Sequence, residues 1–213
     1  MHLEALAEDL VKALDGVGAS GDVTRALSDL ARSGPKSEAA APGDGLAKLL
    51  AAMRLLDDSM SLRAILDALA RGAGSEATCV AVLLIDGDTL RAFSQFGFTG
   101  ARRPADLPAD SFTVLARVIG DRQRIVVGGG EASRTLDLPG FMRPPAGETA
   151  VIIPLQVAGR VVAVVFAEGV DRRTPDGAGA VWTEHVEVLV RHASSRLENI
   201  TSRRTVEVLT ATG

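Results

Sequence analysis

Few side chains in this sequence are of types that perform chemistry. One cysteine, Cys79, and three histidines, His2, His185 and His192, are spread over 213 residues. A sulfenic acid formed on one thiol is ordinarily resolved by another, and Cys79 has no second thiol within the chain. It also stands inside the apolar run TCVAVLLI, residues 78–85, where a thiol behaves as a small buried hydrophobe. His185 and His192 lie on one side of an expected helix with Glu184 and Glu187 nearby. Seven residues span about 10 Å of helix axis, too far for both imidazoles to reach one metal at ~2 Å, so a solvated or interface role is expected of them. His2 adds no partner, and no serine nucleophile motif is present, which leaves acid–base and covalent catalysis little to work with. The residue types therefore assign no catalytic residue and no metal ligand, and leave any cofactor unidentified.

The glycine-rich stretches are equally unpromising. Residues 16–21, GVGASG, match the GxGxxG dinucleotide pattern, but that pattern works only when a strand precedes it and a helix N-terminus follows to hold the pyrophosphate. Here a helical pattern precedes it, so a helix-to-helix turn is expected. Gly128-Gly129-Gly130 lacks the lysine of a phosphate loop and reads as a hinge. Arg102-Arg103 and Arg172-Arg173 read as solvated loop charges. Phe93, Phe98, Phe112, Phe141 and Phe166 read as core, with the alternative that Phe98, Phe141 and Met142 line a pocket.

Composition narrows the class further. With 46% apolar and 23% charged residues the chain should fold. Its net charge of -4 supplies none of the positive field that a general nucleic-acid binder needs, so no nucleic-acid partner is expected. The lysines are Lys12, Lys36 and Lys48 alone, and apolar runs such as Val161 to Ala167 are too short to span a bilayer. The acidic N-terminal segment MHLEALAEDL and the single cysteine point to a cytoplasmic protein without a membrane span.

The elements that would position any site follow from periodicity. Leu3, Leu6, Leu10, Leu14 and Val17, then Val23, Leu27 and Leu30, predict two short helices, a hairpin appendage over residues 1–32. Residues 33–45, SGPKSEAAAPGDG, read as a flexible linker, and the main domain is expected over 46–205 with a tail over 206–213. Leu46, Leu49, Leu50, Met53, Leu56 and Met60 mark a helix; Ser61 caps the next, with Leu62, Ile65, Leu66 and Leu69 on its apolar face. Strands are expected over 78–85 and 89–96, a short helix over 111–119 and a short strand over 124–127. Residues 128–148 contain no credible element, yet Leu138, Phe141 and Met142 suit no wholly solvated loop, so this segment should fold back as a lid. AVIIPLQV, the turn Ala158-Gly159 and RVVAVVFAE make the clearest hairpin. In the last helix Trp182, Val186, Leu189, Ala193, Leu197 and Ile200 recur at three- and four-residue steps, a spacing compatible with a coiled-coil seam and equally with packing on a sheet.

This order of elements resembles the GAF domain family. Ile153-Pro154-Leu155, leading through Gly159 into Val162-Ala163-Val164-Val165-Phe166, is similar to the family's "PL…G…GVL" hairpin, and residues 62–86 and Phe96-Gly97-Phe98 add to the likeness. The resemblance implies an α+β fold: a central antiparallel sheet with the long N- and C-terminal helices on one face and a loop-covered pocket on the other. It implies a non-enzymatic, dimeric signalling protein, a small-molecule sensor or adaptor acting on an unidentified protein partner, with a ligand-free interaction scaffold as the alternative. A redox enzyme of the methionine sulfoxide reductase type is the remote alternative, since those family members use several cysteines. The cyclic-nucleotide signature and a bilin-attachment cysteine are missing. On this reading Phe98, Leu138, Phe141, Met142 and Arg143 form the pocket and lid, while Leu49, Met53, Leu56, Trp182, Val186, Leu189, Leu197 and Ile200 form the dimer helices.

Overall fold

The computed structural model describes residues 44–170 and 181–211, all within the second of two units into which the chain divides after Ala41. The expected N-terminal hairpin, the GVGASG turn, His2, most of the linker and the Arg172-Arg173 segment lie outside the described residues.

The described elements are helices α1 (Asp44–Asp57) and α2 (Leu62–Gly74), strands β1 (Cys79–Asp86), β2 (Thr89–Phe96) and β3 (Leu107–Pro108), helix α3 (Thr113–Asp121), strand β4 (Ile125–Gly128), the short helix α4 (Glu131–Arg134), strands β5 (Glu148–Val157) and β6 (Arg160–Val170), and helix α5 (Val181–Ala211). The six strands form one sheet in the order β3-β2-β1-β6-β5-β4, and all neighbouring pairs are antiparallel. β1 and β6 are central, which explains why both alternating sets of their residues are largely apolar: alternate side chains enter opposite cores. Val80, Val82, Val165 and Ala167 face the helix side, whereas Ala81, Leu83, Val164 and Phe166 face the loop side. The fold is thus α+β, with the three longer helices on one face and irregular chain, together with the short helix α3, on the other.

α2 starts where Ser61 accepts a hydrogen bond from the Ala64 amide at 3.2 Å, satisfying one of the orphan donors of the first turn. α2 and α5 cover the sheet, and α1 packs across both of them. The helix layer is consequently two deep, and α1 turns Leu46, Leu50 and Leu55 to solvent.

Several expected boundaries need correction. α1 begins at Asp44, inside the stretch read as linker. α5 continues to Ala211, so most of the expected tail is helical. Residues 128–148 do contain structure: α4 and a 3-10 turn at Gly140–Met142, both too short to show a period. Nor are the glycines a free hinge. The Gly129 amide donates to the Glu148 carbonyl at 2.8 Å and that of Gly130 to Pro144 at 3.3 Å, and a Cβ on Gly129 would stand 1.8 Å from the Pro145 carbonyl oxygen. Backbone passes too close there for any side chain. β3, a two-residue pairing of Leu107 and Pro108 with β2, had no local signal either.

Candidate functional site

The loop face is where side chains from distant segments converge. Gly97 ends β2 with φ +77°, and a Cβ on it would lie 1.9 Å from the Thr78 carbonyl oxygen; only glycine lets the chain turn there and deliver Phe98 over the sheet. Phe98 meets Phe166 of β6 at 6.1 Å and Phe141 of the 3-10 turn at 6.2 Å, and Phe141 lies 6.4 Å from Phe166, both Phe141 contacts being edge-on. That geometry suits aromatic quadrupoles. Leu138, Phe141 and Met142 are buried in the same core, and each contributes about 1.5–3 kcal/mol by leaving water. Of the five lid residues, Arg143 alone is exposed. Its Nε donates to the Leu138 carbonyl at 3.2 Å and closes the loop on itself. Asp137 anchors the same segment by accepting from the Thr113 amide and hydroxyl at 2.9 and 3.0 Å, contacts that hold its carboxyl below the usual range. Under the loop, three of its own apolar side chains, Leu138, Phe141 and Met142, are packed into the core.

An ion pair whose carboxylate is buried latches the loop. Arg102, read above as a solvated charge, donates through Nη1 to Glu168 Oε1 at 3.0 Å and through Nη2 to Glu168 Oε2 at 2.6 Å. The same Nη2 reaches the carbonyls of Phe141 at 3.2 Å and Arg143 at 3.3 Å. Glu168 is 1% exposed and sits on β6 between Cys79 of β1 and Ala150 of β5. A charge so buried is tolerable only when paired. The signal that could have found this pair is the lone glutamate closing an otherwise apolar strand.

Two further groups border Glu168. Burial first, and the Glu168 charge second, push the Cys79 thiol up, the reverse of the lowered pKa that makes a cysteine reactive. Burial and then Glu168 also raise Glu148, whose Oε2 is buried without a hydrogen-bond partner among the described residues. Protonated, Glu148 can donate to Glu168; ionised, it faces a like charge. Because its folded pKa exceeds the unfolded one, the native state holds the extra proton, and stability should fall as pH rises through that window and stay reduced above it. Glu148→Gln should therefore be indistinguishable from the parent in acid, where both side chains are neutral, and more stable at neutral pH. Urea titrations across that range check this; a glutamine variant weaker than the parent at pH 7 would contradict it.

On the helix side Leu49, Leu56, Val186, Leu189 and Leu197 are buried, and Met53, Trp182 and Ile200 half-buried, all in this one chain's core. The periodic seam of α5 is thus its intrachain face rather than a surface free for a second chain. The two histidines also have partners. His185 Nδ1 lies 3.2 Å from Glu76 Oε2 and His192 Nε2 lies 2.9 Å from Asp57 Oδ1, tying α5 to the end of α2 and to α1.

This architecture occurs among solved structures. The GAF domain of an Acinetobacter phosphoenolpyruvate-protein phosphotransferase matches with a TM-score of 0.55 and 15% identity over 76% of this chain and 95% of that one. The GAF domain/HD domain protein of Geobacter sulfurreducens matches with a TM-score of 0.51 and 19% identity over 73% and 97% of the respective chains. The chain has a GAF-like fold. Free methionine-R-sulfoxide reductase from Neisseria meningitidis, in complex with its substrate, shares the fold at a TM-score of 0.53 and 17% identity over 75% and 96% of the chains, so a GAF-like fold houses enzymes as well as sensors. No family model and no curated protein sequence matches this GAF-like chain.

Proposed function

We propose that this GAF-like chain is a non-enzymatic regulatory module of the cytoplasm that self-associates through its outer helix layer and passes its signal to a protein partner. The observation that carries this reading is the contrast between its two faces. On the loop side Leu138, Phe141 and Met142 are buried in the core, which weighs against a small molecule beneath the loop, whereas the helix side leaves large apolar side chains in water, with Leu46 58% and Leu50 46% exposed on α1 and Val181 and Val188 exposed on α5. Apolar side chains grouped on one helix layer mark an interaction surface. The reductase reading is disfavoured by Cys79, the sequence's one thiol, which is buried. No described helix is long and apolar enough to cross a membrane.

Sedimentation of the full chain at micromolar concentration should give a dimer, and a 22.1 kDa species would overturn the reading. Replacing Leu46 and Leu50 together by glutamate should weaken association by about two orders of magnitude, from ~1.5 kcal/mol or more per leucine, with thermal stability nearly unchanged. An equally tight dimer in that variant would place the interface elsewhere.

A further inference from the structure

Two strand irregularities flank the central strand β1. Between β1 and β2, Val82 pairs with Ser94 and Leu83 with Ala92, which leaves Phe93 unopposed. Between β5 and β6, Leu155 pairs with Ala163 and Gln156 with Val161, which leaves Val162 unopposed. The two lie on β2 and β6, the strands that flank β1: Phe93 stands level with the Val82–Leu83 step and Val162 one residue beyond the Leu84–Ala163 pair. A bulge bends its strand and re-aims a side chain, and bulges cluster beside functional sites. Both displaced residues, Phe93 and Val162, line a single groove of about 1000 Å³ between the strand ends and the helix layer. Leu66 of α2, Leu84 of β1, and Leu197 and Ile200 of α5 supply its other apolar walls.

We propose that this groove is a binding site for a neutral, elongated, apolar small molecule of the long-chain alcohol or aromatic-hydrocarbon class. Its volume lies at the upper end of the range for small-molecule sites, and α2, α5, β1 and the two bulged strands all contribute to its walls. The occupant is uncharged because, among the described residues, the charged groups at the mouth are paired with one another. Asp86 and Arg91, both at the groove, neutralise each other at 3.1 Å. Arg63, stacked 5.5 Å over the Phe93 ring, pairs with Asp67. A charged head group would find no unmatched partner among the described residues, while an apolar body would remove Phe93, Val162 and Ile200 from water. Since α2 and α5 form two of the walls, occupancy bears directly on the helix layer. The site does not depend on the self-association proposed above, and its test reads binding alone.

The test titrates the full chain with the neutral fluorophore N-phenyl-1-naphthylamine and then displaces it with 1-dodecanol, dodecanoate or dodecylammonium. Saturable binding of one fluorophore per chain is expected, with dodecanol displacing it at least tenfold more effectively than either ion. Val162→Trp, which fills the groove, should lower affinity at least tenfold. Leu62→Arg at the rim, where the parent side chain is half exposed, should weaken binding even if the tryptophan variant fails to fold. Failure of the parent chain to bind would overturn the proposal, as would undiminished binding in the folded variants or a preference for either ion. Fluorophore binding that only dissociates a dimer, seen by sedimentation with and without it, would assign the groove to a second copy and overturn it too.

Discussion

Replacing Arg102 by methionine will destabilise the domain by an amount toward the lower end of the ~3–5 kcal/mol typical of orphaning one member of a buried ion pair. Glu168, 1% exposed, would keep its charge without its bidentate partner, and the Phe141 and Arg143 carbonyls would lose a shared donor. The lower end applies because the Arg102 side chain is 37% exposed, so water can partly replace it. Replacing both residues, Arg102→Met with Glu168→Met, should cost less than the single change, because a pair exchanged for apolar groups of similar size removes the desolvation penalty as well as the attraction. Denaturant titration of the three proteins decides it. A single variant within 0.5 kcal/mol or so of the parent, the range of ordinary surface changes, would show that the latch contributes nothing. Hydrogen exchange gives an independent reading: residues 138–143 should open in the single variant while β1 and β6 stay protected.

The second large effect is on the helix side. Leu189→Glu should unfold the chain at ordinary temperatures rather than separate a dimer. Leu189 is fully buried, close enough that its Cδ1 would stand 3.6 Å from a Cβ placed on Gly72 of α2. Losing the leucine contacts costs about 2–5 kcal/mol, and burying a carboxylate there adds several more, against a total stability of roughly 5–15 kcal/mol. Circular dichroism should show loss of the cooperative melt. A folded, monomeric Leu189→Glu protein would instead mean that α5 turns its seam outward, contrary to the packing described above.

What was legible in the sequence was local. AVIIPLQV, Ala158-Gly159 and RVVAVVFAE announce a hairpin because strand alternation and the turn lie within one window, and Val157 does pair with Arg160 across it. Ser61 announces a helix start for the same reason. The apolar residues of the 128–148 segment also showed that it could not be free in solvent, although not which core they would join. The direction of the α5 seam was undecidable, since three- and four-residue steps look alike whether the partner is a sheet, a neighbouring helix or a second chain. Arg102 and Glu168 are 66 residues apart and meet only because the Gly97 turn and β6 converge. The unpaired positions of Phe93 and Val162 depend on cross-strand register, which no single strand reveals.

Hydrogen exchange of the full chain, measured at concentrations below and above the onset of self-association, tests the assignment of function to the helix layer most directly. Protection should rise with concentration in α1, around Leu46 and Leu50, and stay constant through residues 128–148. A concentration-dependent change confined to residues 128–148, with α1 unaffected, would contradict it and return the functional surface to the loop face.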